Sequence, residues 1–337
     1  MLSRAVSRRM IVCWVATLGL LTGCAGEDLT KKNFERTTVP ATELAESGGG
    51  QGSVPSGPID DPALELATLR TVDACGLLSD DFVGNFNFTP QEDFGSGGWG
   101  ECSRSFVDVG GKPIRVSLEL GEGGVFPDQA TGNVAGLPLV QLSIDDTSCI
   151  STAVTNHNPG LGISLMANYE QGGGDACQTS YLVLEGVVEQ LRANPPQLMP
   201  EEGSLLTVDL CESFQSEEFL AALGEDGDEA DVMPSGLHFC MLSQGRITAH
   251  AYARVGWPVA PYEGTNEIEL VDGLTAVQEP GASDMAECSV SWNHRELGEE
   301  EAEILSLHYY DYASEADVDT ACERVTELAK AMVKTLP

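Results

Sequence analysis

Four of the five histidines lie in the C-terminal half, at His238, His250, His294 and His308. Imidazole changes charge near neutral pH, both donates and accepts hydrogen bonds, and ligates metals. Two of the four sit in alternating runs, Ile247-Thr248-Ala249-His250-Ala251-Tyr252-Ala253-Arg254-Val255 and Leu305-Ser306-Leu307-His308-Tyr309-Tyr310. In a strand, successive side chains point to opposite faces, so Ala249 and Ala251 turned to a core would put His250, Tyr252 and Arg254 outside. Leu305 and Leu307 turned inward put His308 and Tyr310 outside in the same way. These five residues form the candidate binding face, suited to an anionic, aromatic or metal-bearing ligand. The plainer alternative is a solvated or interdomain sheet face.

Motifs of catalysis are missing around these histidines. Gly281-Ala282-Ser283-Asp284-Met285 lacks the closing glycine of a nucleophile elbow, and there is no His-Glu-x-x-His and no phosphate-cradling Gly-x-x-x-x-Gly-Lys. Glu225-Asp226-Gly227-Asp228-Glu229-Ala230-Asp231 carries hard oxygen ligands, but its glycine and terminal acid are out of calcium-loop register. The reading is therefore a binding or interaction protein with no catalytic residue, cofactor or metal site expected. An envelope hydrolase with a His-containing site in the second half is the alternative.

The elements that would position the face follow from the cysteines and from an internal repeat. Thr71-Val72-Asp73-Ala74-Cys75 returns as Thr207-Val208-Asp209-Leu210-Cys211, and Gly136-Leu137-Pro138-Leu139-Val140-Gln141 as Gly273-Leu274-Thr275-Ala276-Val277-Gln278. Ala176-Cys177 returns as Ala321-Cys322. Apart from Cys13 and Cys24, eight cysteines remain, four per copy, at intervals of 27, 47 and 28 residues and then 29, 48 and 34. Even numbers at matched spacing, with no Cys-x-x-Cys, indicate a disulfide framework rather than metal ligands. Four cysteines allow three pairings. Each copy alternates a helix-associated cysteine with one that leads a hairpin, which predicts sequential pairing: Cys75 with Cys102, Cys149 with Cys177, Cys211 with Cys240 and Cys288 with Cys322.

Periodicity supplies the fold class. Ile114 to Leu120 alternates as strictly as Ile247 to Val255, whereas Cys177, Tyr181, Leu184, Val188 and Leu191 share one helix face, as do Cys322, Val325, Ala329, Met332 and Leu336. Short helices are expected after Cys75 and Cys211. Gly110-Gly111 and Asn158-Pro159-Gly160 mark turns. Each copy then reads helix, hairpin, strand, hairpin, helix, an α+β fold in which helices pack on one face of an antiparallel sheet. The expected division is 67–196 for the first repeat and 197–337 for the second, joined near Pro195, Pro196 and Pro200.

Residues 1–23 place Arg4, Arg8 and Arg9 before the apolar run Met10 to Leu21, which is too short for a permanent membrane span. Leu21-Thr22-Gly23-Cys24 resembles the lipobox of bacterial lipoproteins, which implies cleavage before Cys24 and diacylglycerol on its thiol. Each buried CH₂ contributes about 0.8 kcal/mol, so two chains hold a soluble domain on a membrane. Ser7-Arg8-Arg9-Met10-Ile11-Val12 also resembles a twin-arginine signal, and the export route stays open. Residues 24–66, with Ser47-Gly48-Gly49-Gly50 and Pro55, Pro58 and Pro62, read as a flexible tether with a reach on the order of 35 Å. The expected location is the extracytoplasmic face of the cell membrane, with an envelope ligand or protein as partner. The charge of −36, from 53 acids against 17 bases, excludes a nucleic-acid binder, which would need clustered cations for the phosphates.

Cys75-Gly76-Leu77-Leu78 at a helix start, with a second cysteine before a strand in a lipobox-bearing chain, resembles the actinobacterial lipoproteins with domain of unknown function 3558. More distantly, the chain resembles the disulfide-stapled extracellular sensor domains of actinobacterial membrane kinases. The resemblance covers about residues 69–192 and, more weakly, 205–336. The second copy departs from it with Cys211-Glu212-Ser213-Phe214, and the family's aromatic residue after the second cysteine is not evident at Cys102-Ser103-Arg104. An envelope lipoprotein is implied, with no catalytic residues to carry over.

Overall fold

A computed structural model describes residues 52–96, 98–224, 230–281, 286–298, 300–313 and 316–337. The proposed signal, Cys24, and acidic residues 225–229 lie outside these. The alternating run in the first repeat forms β3 (Pro113–Gly123), with Ile114, Val116, Leu118 and Leu120 buried and Arg115, Ser117 and Glu119 on the other face. Around it assemble β1 (Thr89–Ser96), β2 (Glu101–Val107), β4 (Gly132–Val134), β5 (Leu137–Ser143), β6 (Ser148–His157) and β7 (Gly160–Asn168). All pairs are antiparallel, in the order β1-β2-β3-β7-β6-β5-β4.

The second repeat contributes β8 (Asp231–Gly236), β9 (Phe239–Gln244), β10 (Ile247–Gly256), β11 (Asn266–Val271), β12 (Leu274–Pro280), β13 (Ala286–Glu296) and β14 (Ala302–Asp311). Its order, read from β8, is β8-β9-β10-β14-β13-β12-β11, the same path strand for strand. The protein is thus α+β with two tandem domains of one topology.

Short helices α1 (Leu66–Leu69), α2 (Ala74–Leu77) and α3 (Asp80–Gly84) precede the first sheet, and α4 (Ala176–Ala193) closes it. Helices α5 (Leu210–Phe214) and α6 (Glu217–Leu223) precede the second sheet, and α7 (Val318–Val333) closes it. Asp175 and Asp317 cap the two long helices by accepting from the Gln178 and Thr320 amides, each cap contributing about 1 kcal/mol. Tyr181, Leu184, Val188 and Leu191 of α4 are buried against the first sheet, and Val325, Ala329 and Met332 of α7 against the second. Among the described residues, no helix covers the opposite face of the sheet in either repeat.

The disulfides join Cys75 to Cys102, Cys149 to Cys177, Cys211 to Cys240 and Cys288 to Cys322. Each stays inside one repeat and pins a helix to a strand. The repeated glutamine has one task in both copies: Gln141 Nε2 donates to the Cys177 carbonyl at 3.0 Å, and Gln278 Nε2 to the Cys322 carbonyl at 3.2 Å. The repeated aspartate likewise caps the first cysteine's helix, Asp73 accepting from the Gly76 amide and Asp209 from that of Cys211.

Two expectations need amendment. Among the described residues each sheet has seven strands rather than five, because the repeated Gly-Leu motif is the turn of a further hairpin, β4–β5 in one copy and β11–β12 in the other. Gly136 and Gly273 hold that turn at φ of 81° and 80°, a region that disfavours a side chain. Within the stretch read as tether, Ile59, Leu64 and Leu66 pack on the first core, so ordered structure begins before residue 67.

The repeats dock into one compact unit. Leu237, at the β8–β9 turn, is buried in the first repeat's core, while Trp99, before β2, packs against the second repeat's core. Both stand three residues before a paired cysteine, Cys102 or Cys240, so the corresponding tips have exchanged partners. A Cβ on Gly123 would lie 1.9 Å from the Ser235 carbonyl oxygen, so only glycine permits this approach. Arg70 bridges the join, donating to the Leu237 carbonyl at 3.2 Å and pairing with Asp209 at 2.9 Å.

Candidate functional site

Strands β10 and β14 place His250 directly opposite His308, Tyr252 opposite Ser306 and Thr248 opposite Tyr310. The inward residues Ala249, Ala251, Leu305 and Leu307 are fully buried, which fixes the register of their neighbours on the helix-free face. The imidazoles of His250 and His308 stack with centroids 4.7 Å apart and planes 22° from parallel. Tyr252 extends the row on the His308 side at 5.7 Å, and Tyr310 on the His250 side at 5.5 Å. Tyr312 follows Tyr310 at 6.4 Å, and Phe239 sets its edge against His250 at 5.4 Å. Rings overlapping at such distances cover one another's faces, so their polar edges are what a ligand meets.

Burial lowers the His250 pKa to about 4, with the facing His308 adding repulsion. Burial also lowers the pKa of His308, against the pull of Glu287 and Glu279. The pair is therefore neutral at pH 7, and the row is a hydrogen-bonding surface rather than a cationic one. Burial first, then the Glu287 opposite it in β13, raises the Tyr310 hydroxyl to about 12. Four of the five residues singled out in the sequence thus form one row. Arg254 stands beyond its Tyr252 end and lines a different feature.

That feature is a cleft of about 230 Å³ at the join of the repeats, bordered by Trp99, Glu101, Glu119, His238, Tyr252 and Arg254 among others. Sequence reasoning missed it because its walls come from both copies. Glu101 and Glu119 face each other across β2 and β3. Burial, then the charges of Glu122 and Glu101, raises Glu119 to about 7. His238 is only 7% exposed, its ring lies 5.0 Å from that of Trp99, and among the described residues neither ring nitrogen has a hydrogen-bond partner. Burial, reinforced by Arg70, lowers its pKa to about 3. The remaining C-terminal histidine, His294, is elsewhere, with Nε2 at 3.1 Å from the Gly203 carbonyl oxygen.

Glu101 and Glu119 also line a neighbouring hollow of about 310 Å³ on the outer face of the first sheet, with Ser103, Ser117, Ile150 and Met166. Among the described residues no three His, Cys, Asp or Glu side chains are grouped to hold a metal ion. No described helix is long and apolar enough to cross a membrane.

Neither a protein-family profile nor a curated protein matches the chain. Among solved structures, that of DynU16, a protein in the dynemicin biosynthetic locus, aligns at 12% identity over 84% of this chain and 94% of its own, with a TM-score of 0.16. A score that low carries no argument about fold or activity.

Proposed function

We propose that this protein is a lipid-anchored, extracytoplasmic binding protein of the bacterial cell envelope, without catalytic action, that meets its ligand on the outer face of the second sheet. The observation that carries the reading is the continuous row Tyr252, His308, His250 and Tyr310 on the helix-free face of the second sheet. Those imidazoles are neutral, partly exposed and able to donate and accept at once, which suits a neutral or zwitterionic polar ligand better than a bare anion. Disulfides in every repeat accord with an oxidising compartment. The acyl chains on Cys24 would supply the anchor.

The test is imidazole NMR on the full chain in detergent micelles, titrated with fractionated envelope glycans and lipid headgroups. A true ligand shifts the His250 and His308 resonances, leaves the exposed His157 of the first repeat unmoved, and loses affinity in the His250→Ala, Tyr252→Ala double variant. Equal binding by that variant, or no fraction that moves either resonance, overturns the reading. The anchor has its own test: Cys24→Ser must abolish incorporation of labelled fatty acid and release the protein from membranes. Retained labelling would mean that Cys24 is not the acceptor.

A further inference from the structure

We propose that the cleft at the join of the two repeats is a second binding site, for a small organic cation such as an amine or guanidinium compound, held by Glu119 and Glu101 beside Trp99 and Tyr252. It rests on the binding-protein reading and adds a site and a ligand class to it.

The first support is the unmet demand of His238. Among the described residues its two buried ring nitrogens have no partner, a costly condition that a bound donor would relieve at the accepting nitrogen. A neutral imidazole offers an accepting nitrogen to the N–H of an ammonium or guanidinium.

The second support is charge. Like charges directly opposite on paired strands destabilise a sheet, yet Glu101 and Glu119 face each other there. The charges raising Glu119 are carboxylates, those of Glu122 and Glu101. Arg70 is already paired with Asp209, and among the described lining residues Arg254 is the cation; an incoming cation would draw Glu119 from its half-protonated state to the carboxylate, and the two carboxylates then outnumber Arg254. The chain's charge of −36 further raises the local concentration of cations.

The third support is the aromatic lining. Rings attract organic cations through their quadrupoles, and Trp99, Tyr252 and Phe239 all border the cleft. Its 230 Å³ lies below the range of roughly 300 to 1,000 Å³ that houses drug-sized ligands, which suits a compact amine.

The test uses the full chain in detergent micelles, titrated with methylammonium, putrescine and agmatine, and with 1,4-butanediol and succinate as neutral and anionic controls. Tryptophan fluorescence and calorimetry report binding. At least one cation should saturate with one-to-one stoichiometry, and neither control should. Glu119→Gln, near-isosteric and relieved of a like-charge contact, should keep or raise the melting temperature while weakening binding about tenfold or more. Trp99→Leu should weaken it as well, and Glu217→Gln, on α6, should not. Absence of saturable binding at millimolar concentration, equal binding of the diol, or unchanged affinity in Glu119→Gln overturns the proposal. If amines fail while envelope fractions still shift His250 and His308, this inference falls and the function proposed above stands. If amines bind and no fraction moves those resonances, the outcome is reversed.

Discussion

His238 shows how much one side chain decides here. Its folded pKa of about 3 lies below the ordinary 6.5, so the unfolded chain takes up the proton first as pH falls. Stability is therefore complete above pH 6.5 and declines as pH drops from there toward 3. Between pH 6.5 and about pH 4.5 this one group should remove on the order of 2 to 3 kcal/mol, and His238→Leu should remove that part of the pH dependence in urea unfolding. A variant with the same acid sensitivity as the parent would refute the assignment. The depressed pKa values of His250 and His308 act in the same direction. The outward parity of His250, Tyr252, His308 and Tyr310 was legible from alternation with alanine and leucine. Their stacking was not, because it depends on β10 and β14 being neighbours, and the intervening β11, β12 and β13 hide that from a linear reading. The meeting of Trp99 with His238 was further out of reach, since each lies in a turn and neither has a periodic partner.

At the scale of elements, the disulfides hold helices that are otherwise attached to their sheets by side-chain packing and a few side-chain hydrogen bonds, Gln141 to the Cys177 carbonyl and Gln278 to that of Cys322 among them. Cys288→Ala with Cys322→Ala opens a loop of 34 residues, and the chain-entropy estimate puts the loss at about 3.8 kcal/mol. Denaturant unfolding measures it, and a loss below about 1 kcal/mol would show that the apolar face of α7 and the Gln278 hydrogen bond hold the helix without the bridge. Helices α4 and α7 and strands β3 and β10 were readable because each buries one face and so carries a clean period. Strand β1 was not: Thr89-Pro90-Gln91-Glu92-Asp93-Phe94-Gly95-Ser96 has no alternation, and as an edge strand it needs none. The β4–β5 arm was present in the sequence as a repeated motif whose meaning, a glycine turn followed by a glutamine reaching the helix, only three dimensions supply.

For the whole molecule, the join decides whether the repeats melt as one body or two. Gly123→Val should push β3 away from Ser235, and Arg70→Met should leave Asp209 without its partner, at a cost of about 2 kcal/mol, less than a fully buried pair because Asp209 is partly open to water. Calorimetry should then resolve one transition of the parent into two, and a single transition in both variants would show the repeats to be coupled by other contacts. The exchange of Trp99 for Leu237 has an evolutionary corollary. Reciprocal insertion of matching parts is the geometry of a self-complementary twofold dimer. A shorter ancestor with a single copy would have associated with itself through this contact. Gene fusion would then have made a permanent couple of what mass action had only assembled, freeing the two partners to diverge into a hollowed flank lined by serines and glutamates and an imidazole-bearing one.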